Sequence, residues 1–114
     1  MKWYRVSNKE HKCCLYAKSR SHAVSMFHDR YLGSSVRGRA VAIKVEELPD
    51  GKMTLEECPV GLFRWHGVLV LKTEYRDACG RCECYTVDGG ERFWGDGSFN
   101  LNQLIVQPVR LPHV

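Results

Sequence analysis

The sequence predicts an α+β protein in which an N-terminal ββαβ unit, with one principal helix, is followed by an antiparallel β-meander. Three observations support this fold class: two short apolar segments near the N-terminus, a segment with helical spacing after them, and alternating segments separated by glycine-containing turns in the second half. A length of 114 residues is typical of one domain. We therefore expect a single domain over 1–114, with two sub-lobes at 1–48 and 52–114 as the alternative.

The first half of the chain contains three predicted strands. Residues 3–6 and 12–17 form the first two, and the polar stretch between them is long enough for a hairpin. Residues 41–45 alternate between apolar and other positions, as expected for a strand with one buried face. Residues 49–51, a Pro-Asp-Gly sequence, predict the turn that ends this unit.

The principal helix is predicted between the second and third strands. Val24, Phe27 and Tyr31 recur at spacings of three and four, which places them on one helical face. The residues suited to cap this helix are Ser19 or Ser21 at its start and Gly33 at its end.

The second half is predicted to be rich in strands, over residues 62–65, 68–75, 81–87, 91–94 and 105–109. Short turns that contain glycine separate the first four segments, so these should form an antiparallel meander. Ser98 is expected to cap a short helical turn that continues through Leu104.

The charge of the chain is divided unevenly along its length. Residues 1–45 contain ten Lys or Arg against Glu10 and Asp29, a balance of +8. Residues 46–114 contain seven basic and eleven acidic residues, a balance of −4, so the net charge of +4 conceals a basic half and an acidic half. This asymmetry indicates a surface that meets a charged partner.

The basic half supplies the candidate partner-binding residues. Clustered cations bind phosphates by releasing condensed counterions, and aromatic residues among them can stack on bases. The predicted contact residues are Lys18, Arg20, Arg30, Arg37 and Arg39. The alternative is that these cations belong to ordinary solvated faces of strands and a helix.

The six cysteines are expected to be reduced thiols, because nothing in the sequence indicates secretion. Cys79, Cys82 and Cys84 form a C-x-x-C-x-C cluster in which two thiolates could reach one zinc ion, but no second C-x-x-C supplies further ligands. We therefore expect no cofactor, with Cys82 and Cys84 buried on one strand face and Cys79 in a loop. A structural zinc site at the three cysteines is the alternative.

No spacing of Ser, Cys, His or carboxylate residues matches a known catalytic pattern, so we expect a protein that is not an enzyme. The longest apolar runs are far below the ~20 residues that span a bilayer, and we expect a soluble cytoplasmic protein without membrane contact. Phe93 and Trp94 are expected to pack in the core, and a role as an exposed recognition pair is the alternative.

Two groups of segments carry a resemblance to known proteins: residues 2–6, 15–19 and 21–24, and later residues 61–63, 71–75 and 90–95. The first group is similar to the hairpin and helix with which many small phage and prophage accessory proteins open, and the second group also resembles small phage-encoded proteins. Some of these proteins are anti-CRISPR proteins. The resemblance implies a protein that binds a host defence complex stoichiometrically, often by blocking a nucleic-acid channel, and it carries over no site residues.

These observations predict a non-enzymatic, phage-type anti-defence protein that binds and inhibits a bacterial CRISPR effector complex in the host cytoplasm. The first alternative is a nucleic-acid-binding module or phage regulator that uses the basic N-terminal half. The second alternative is a zinc-stabilised protein-interaction domain.

Overall fold

A computed structural model describes residues 1–32, 43–97 and 100–110 of the chain. The chain divides into two compact units, Met1–Gly51 and Lys52–Val114, and each contains an antiparallel sheet. The predicted α+β class, with a ββαβ unit before a meander and one principal helix, is confirmed. No helix within the described ranges is both long enough and apolar enough to cross a membrane.

The first unit is built on a three-stranded sheet in the order β2-β1-β3. The strands are β1 (Lys2–Ser7), β2 (Lys12–Ala17) and β3 (Lys44–Leu48), and β1 pairs antiparallel with both neighbours. The helix α1 (Arg20–Phe27) follows β2 and continues into a π-helical turn (His28–Leu32). The polar connection between β1 and β2 therefore forms the hairpin that the sequence predicts.

The helix begins where the sequence predicts, because the Ser19 hydroxyl accepts a hydrogen bond from the His22 backbone N–H. One face of the sheet packs on α1, and apolar residues alternate along the strands to supply that face. The buried core of this unit consists of Tyr4, Val6, Cys13, Leu15, Ala17, Ala23 and Phe27. Ile43 and Val45 pack against the core, as their alternation predicts.

The third strand differs from its prediction, because it runs from Lys44 to Leu48 rather than over 41–45. The ladder with β1 explains the difference. Glu46 lies opposite Arg5 and forms an ion pair with it at 2.7 Å, while Leu48 lies opposite Trp3 and is buried. Residues 41 and 42 and the predicted C-cap Gly33 lie outside the described residues.

The second unit is built on a five-stranded sheet in the order β4-β8-β5-β6-β7. Its strands are β4 (Met53–Thr54), β5 (Gly61–Trp65), β6 (Val68–Arg76), β7 (Cys82–Thr86) and β8 (Ile105–Pro108). Strands β5 to β7 form the predicted meander. A 3-10 helix, Leu101–Gln103, precedes β8.

Three details of the second unit differ from the sequence-based expectations. The predicted strand over 91–94 is reduced to one bridge between Tyr85 and Arg92, because Gly95 at φ 65° turns the chain away soon afterwards. Strand β4 was not predicted, and β8 inserts between β4 and β5. The helical turn is shorter than expected, and its predicted cap Ser98 lies outside the described residues.

Lys72 is a buried charged residue on the core side of β6, with 7% of its surface exposed. Its ammonium group donates hydrogen bonds to the carbonyl oxygens of Leu55 and Glu56, at 2.7 and 3.2 Å, and to that of Cys58. These carbonyls belong to the turn that follows β4. The ammonium group is thus desolvated with three acceptors around it, which is how a buried cation avoids an uncompensated cost.

We expect the substitution Lys72→Met to lower the free energy of unfolding by about 2–4 kcal/mol, because a buried carbonyl left without a donor costs about 1–3 kcal/mol. Methionine keeps most of the side-chain volume, so the loss would report on the hydrogen bonds. Urea denaturation followed by fluorescence measures the change. Lys52→Met at an exposed lysine is the matched control and should change the value by less than about 0.5 kcal/mol. Equal stabilities for the two variants would contradict the structural role of Lys72.

Candidate anion-binding groove

A polar groove of about 480 Å³ lies on the first unit, beside the hairpin that joins β1 to β2. It lies within the basic half of the sequence. Its lining consists of Arg5, Ser7, Asn8, Lys9, Glu10, His11, Lys12, Lys44 and Glu46. Four of these residues are Lys or Arg and two are Glu, so the groove carries a positive balance.

The register of the sheet brings the groove residues together. Ser7 at the end of β1 lies opposite Lys12 on β2 and opposite Lys44 on β3. Successive side chains of a strand point to opposite faces, so Arg5 and Ser7 share the face that does not pack on α1. Glu46 shares this face as well, because it lies opposite Arg5. Three strands therefore contribute cations to one end of one sheet face.

The hairpin loop that walls the groove is held by hydrogen bonds. The Asn8 side-chain oxygen accepts from the backbone N–H groups of Glu10 and His11, at 2.9 and 2.6 Å. The Asn8 backbone N–H donates to the His11 carbonyl at 2.9 Å. The His11 ring stacks on Tyr31 with a centroid distance of 4.5 Å and an interplanar angle of 16°. This loop is therefore tied both to itself and to the π-helical turn after α1.

The cations of the groove are not equally available. Arg5 is engaged with Glu46. The exposed side chains of Lys9 and Lys44 form no ion pair within the described part of the chain. Free ammonium groups beside a sheet face can bind phosphate or carboxylate oxygens by charge-assisted hydrogen bonds. The groove can thus hold an anion without first breaking the Arg5–Glu46 pair.

The described residues among those predicted to contact a partner are Lys18, Arg20 and Arg30, and they lie in two separate places. Lys18 and Arg20 are exposed at the start of α1, where Arg20 donates a hydrogen bond to the Val45 carbonyl at 3.1 Å. Arg30 is exposed in the π-helical turn, with its guanidinium group 5.6 Å from the Tyr31 ring centroid. Ten residues of helix separate Arg20 from Arg30, a distance of about 15 Å. Arg37 and Arg39 lie outside the described residues.

The groove was missed because its residues are dispersed in the sequence. Lys9, Lys12 and Lys44 belong to the basic half, but only the strand register shows that Lys12 and Lys44 flank the same serine. A signal was available in part. The alternation of Arg5 and Ser7 with the apolar Tyr4 and Val6 marks one polar face of β1.

The cysteines divide into buried thiols and one exposed thiol. Cys82 and Cys84 are buried on one face of β7, and Cys79 is exposed in the preceding turn, as the sequence predicts. Burial raises the pKa of Cys84 to about 12 and that of Cys58 to about 11. Among the described residues, no group of three or more His, Cys, Asp or Glu side chains could hold a metal ion. The alternative of a zinc site at Cys79, Cys82 and Cys84 therefore finds no geometric support.

Trp94 lies in a second cluster of cations, on the other unit. The guanidinium groups of Arg81 and Arg92 lie 4.8 and 4.5 Å from its ring centroid. Both donate to the same carboxylate oxygen of Asp77, at 2.9 and 3.1 Å. Desolvation of Asp77 acts to raise its pKa, but hydrogen bonds from Arg81 and from the Cys79 backbone outweigh this effect and lower it. Asp77 thus compensates the charges that stack on Trp94.

The expectation that Phe93 and Trp94 both pack in the core is correct only for Phe93. Phe93 is 4% exposed and contacts the Phe63 ring edge-on at 5.6 Å. Trp94 is 46% exposed. The two neighbours differ in burial because successive side chains of an extended segment point to opposite faces. Phe93 still lies in the extended segment beside β7, where its N–H donates to the Cys84 carbonyl.

We expect a thiol reagent such as DTNB to label one cysteine rapidly in the folded protein, because Cys79 is exposed and the other five thiols are buried. Cys79→Ser should remove the fast phase and leave the total of five thiols accessible after denaturation. Cys82→Ser is the comparison variant and should keep the fast phase. Rapid labelling of more than one thiol in the native state would contradict the burial described here.

Comparison with known proteins identifies no relative of this chain. No protein-family model matches it, no curated protein matches it, and no solved structure matches it.

Proposed function

We propose that this protein functions by binding a polyanionic partner through the groove of the first unit, and that it does so without catalysis. The partner class that this groove suits best is the phosphate backbone of a nucleic acid. The observation that supports the proposal is the placement of Lys9, Lys12 and Lys44, from three separate elements, around one groove. Such a protein would meet its partner in the cytoplasm of a bacterial host.

The physical basis is electrostatic and sequence-independent. Cations that neutralise phosphates release condensed counterions, which gives favourable free energy that declines with salt. The groove adds preorganisation, because the Asn8 hydrogen bonds and the stacked His11 hold its loop wall before a partner arrives. A preformed site loses less conformational entropy on binding than a mobile one.

The groove offers no activated nucleophile to support catalysis. Ser7 and His11 both line it, yet within the described part of the chain no hydrogen bond joins their side chains. A catalytic hydroxyl needs an adjacent base within hydrogen-bond reach, and that base needs an orienting partner. His11 instead stacks on Tyr31. Binding is the function that these contacts favour.

A second candidate is an inhibitor that binds the protein component of a bacterial defence complex, such as a CRISPR effector. A partly exposed apolar row on the second sheet favours it. Leu62, Leu71 and Tyr85 lie side by side on β5, β6 and β7, and Leu71 is 41% exposed. Exposed apolar patches of this kind are typical of protein interaction sites. The resemblance to phage accessory proteins suggests the same partner.

The first candidate predicts a steep dependence of nucleic-acid affinity on salt, and an effect of groove residues on that dependence. Lys9→Glu combined with Lys44→Glu should weaken binding of a DNA oligonucleotide and reduce the slope of log affinity against log salt by about 1.5 to 2. The cause is the loss of two phosphate contacts. Fluorescence anisotropy over a series of salt concentrations measures both quantities.

The matched control is Lys18→Glu combined with Arg30→Glu, which changes the net charge by the same amount outside the groove. It should retain most of the slope. Equal losses for both double variants would show that only net charge matters, and would refute the groove as the binding site. Recovery of a defence complex from a CRISPR-bearing lysate after nuclease treatment, with no affinity for oligonucleotides, would instead support the second candidate.

A further inference from the structure

A second groove, of about 450 Å³, opens in the sheet of the second unit. Strands β5 and β8 pair at Arg64 and Gln107, and beyond these residues the two strands part. At the start of β8, Ile105 and Val106 pair with β4, which lies on the other side of β8 from β5. The space between the end of β5 and the start of β8 is the groove. Such a volume is within the range of small-molecule sites.

The charged residues that line this groove are both cations. Lys52 and Arg64 line it, both are exposed, and neither side chain forms an ion pair or hydrogen bond within the described part of the chain. Among the described residues, no carboxylate belongs to the lining. This local excess of positive charge lies in the half of the chain whose sequence balance is −4. The groove is therefore suited to an anion, because its two cations have no ion-pair partner among the residues that the structure describes.

Aromatic and apolar groups form the rest of the wall. Trp65 is held edge-on by the core residue Phe93, with ring centroids 5.5 Å apart at 74°. The His66 ring lies edge-on to Trp65 at 4.4 Å and 88°. Ile105 also lines the groove and is 58% exposed. A planar ring can pack against such a wall by stacking and by dispersion contacts.

The turn that presents these rings has an uncommon backbone. His66 has φ 48° and Gly67 has φ 80°, which is the turn class in which Asn-Gly and Asp-Gly are preferred. Histidine is tolerated at positive φ more readily than most residues, but it is not the residue that the turn itself favours. Strained positions often occur at binding sites. This turn places the His66 side chain in the lining of the groove.

We propose that this groove binds a phosphorylated nucleoside, with the phosphate at Lys52 and Arg64 and the base against Trp65 and His66. The ligand chemistry is a phosphate joined to a planar heterocycle, and its source is either a free nucleotide or one unit of a single strand. Cations with an adjacent aromatic wall are the combination that single-strand binders use. The inference concerns a different unit from the proposed function and does not depend on it.

Calorimetric titration with adenosine 5′-monophosphate, adenosine and inorganic phosphate tests the inference. The monophosphate should bind more tightly than either part alone, because each part reaches only one end of the groove. Arg64→Ala and Lys52→Ala should each weaken its binding about tenfold or more, the loss expected for one hydrogen bond to a charged group. Lys2→Ala is the control, because this exposed lysine pairs with Glu47 and lines neither groove, and it should leave binding unchanged.

A single-stranded tetranucleotide of deoxyadenosine distinguishes the two ligand sources. Tighter binding of the tetranucleotide than of the monophosphate, lost in Arg64→Ala, would identify a strand as the ligand, and the reverse order would identify a free nucleotide. Phosphate binding as tight as that of the monophosphate would overturn the proposal, as would binding that is insensitive to both substitutions. If the double variant Lys9→Glu, Lys44→Glu loses oligonucleotide binding and Arg64→Ala does not change it, the proposed function is retained and this inference is rejected.

Discussion

The second unit depends on one buried ammonium group. Lys72 Nζ donates to three carbonyls of the turn that follows β4, while the N–H groups of Leu55 and Glu56 in the same turn donate to the carbonyls of Leu104 and Asn102. The turn thus finds partners on both sides without forming regular secondary structure. Buried backbone groups require such partners, and here one side chain supplies three of them. This arrangement connects β4, β6 and the 3-10 helix.

The surrounding polar contacts extend the same connection toward β7. Arg76 forms a bidentate pair of hydrogen bonds with the Glu56 carboxylate, and these bonds lower the pKa of Glu56. The Asn102 side chain accepts from the Cys82 N–H and donates to the Gly80 carbonyl. Each of these hydrogen bonds needs a particular donor and acceptor in a particular geometry, so together they determine which segments lie side by side. Apolar burial around Phe63 and Leu101 supplies the non-directional part of the stability.

Local patterns were sufficient for most of the strands and for the helix. Segments bounded by turn residues predicted β1, β2, β5, β6 and β7, and Ser19 was one of the two serines predicted to cap α1. Pairing between segments distant in the sequence determined β4 and the bounds of β3. Strand β4 has two residues and no periodicity to detect, and β3 shifted because Glu46 and Leu48 pair with β1. Lys72 lies two residues after Val70 on β6, so strand alternation places both side chains on the core face. The alternation does not show that backbone carbonyls surround the Lys72 ammonium group. The first groove depends on the register of three strands, and the second depends on where β5 and β8 separate. The sequence shows the cations of both grooves but not that they lie together.

The position of β8 between β4 and β5 has a consequence for synthesis of the protein on the ribosome. The core of the first unit consists of residues within Met1–Gly51. The sheet of the second unit cannot close until residues 105–108 have emerged, because β8 supplies its middle and not its edge. Long-range pairing of this kind is slow to form. Until then the backbone edges of β4 and β5 that pair with β8 have no partner, so pairing with β8 removes two open edges at which other chains could aggregate.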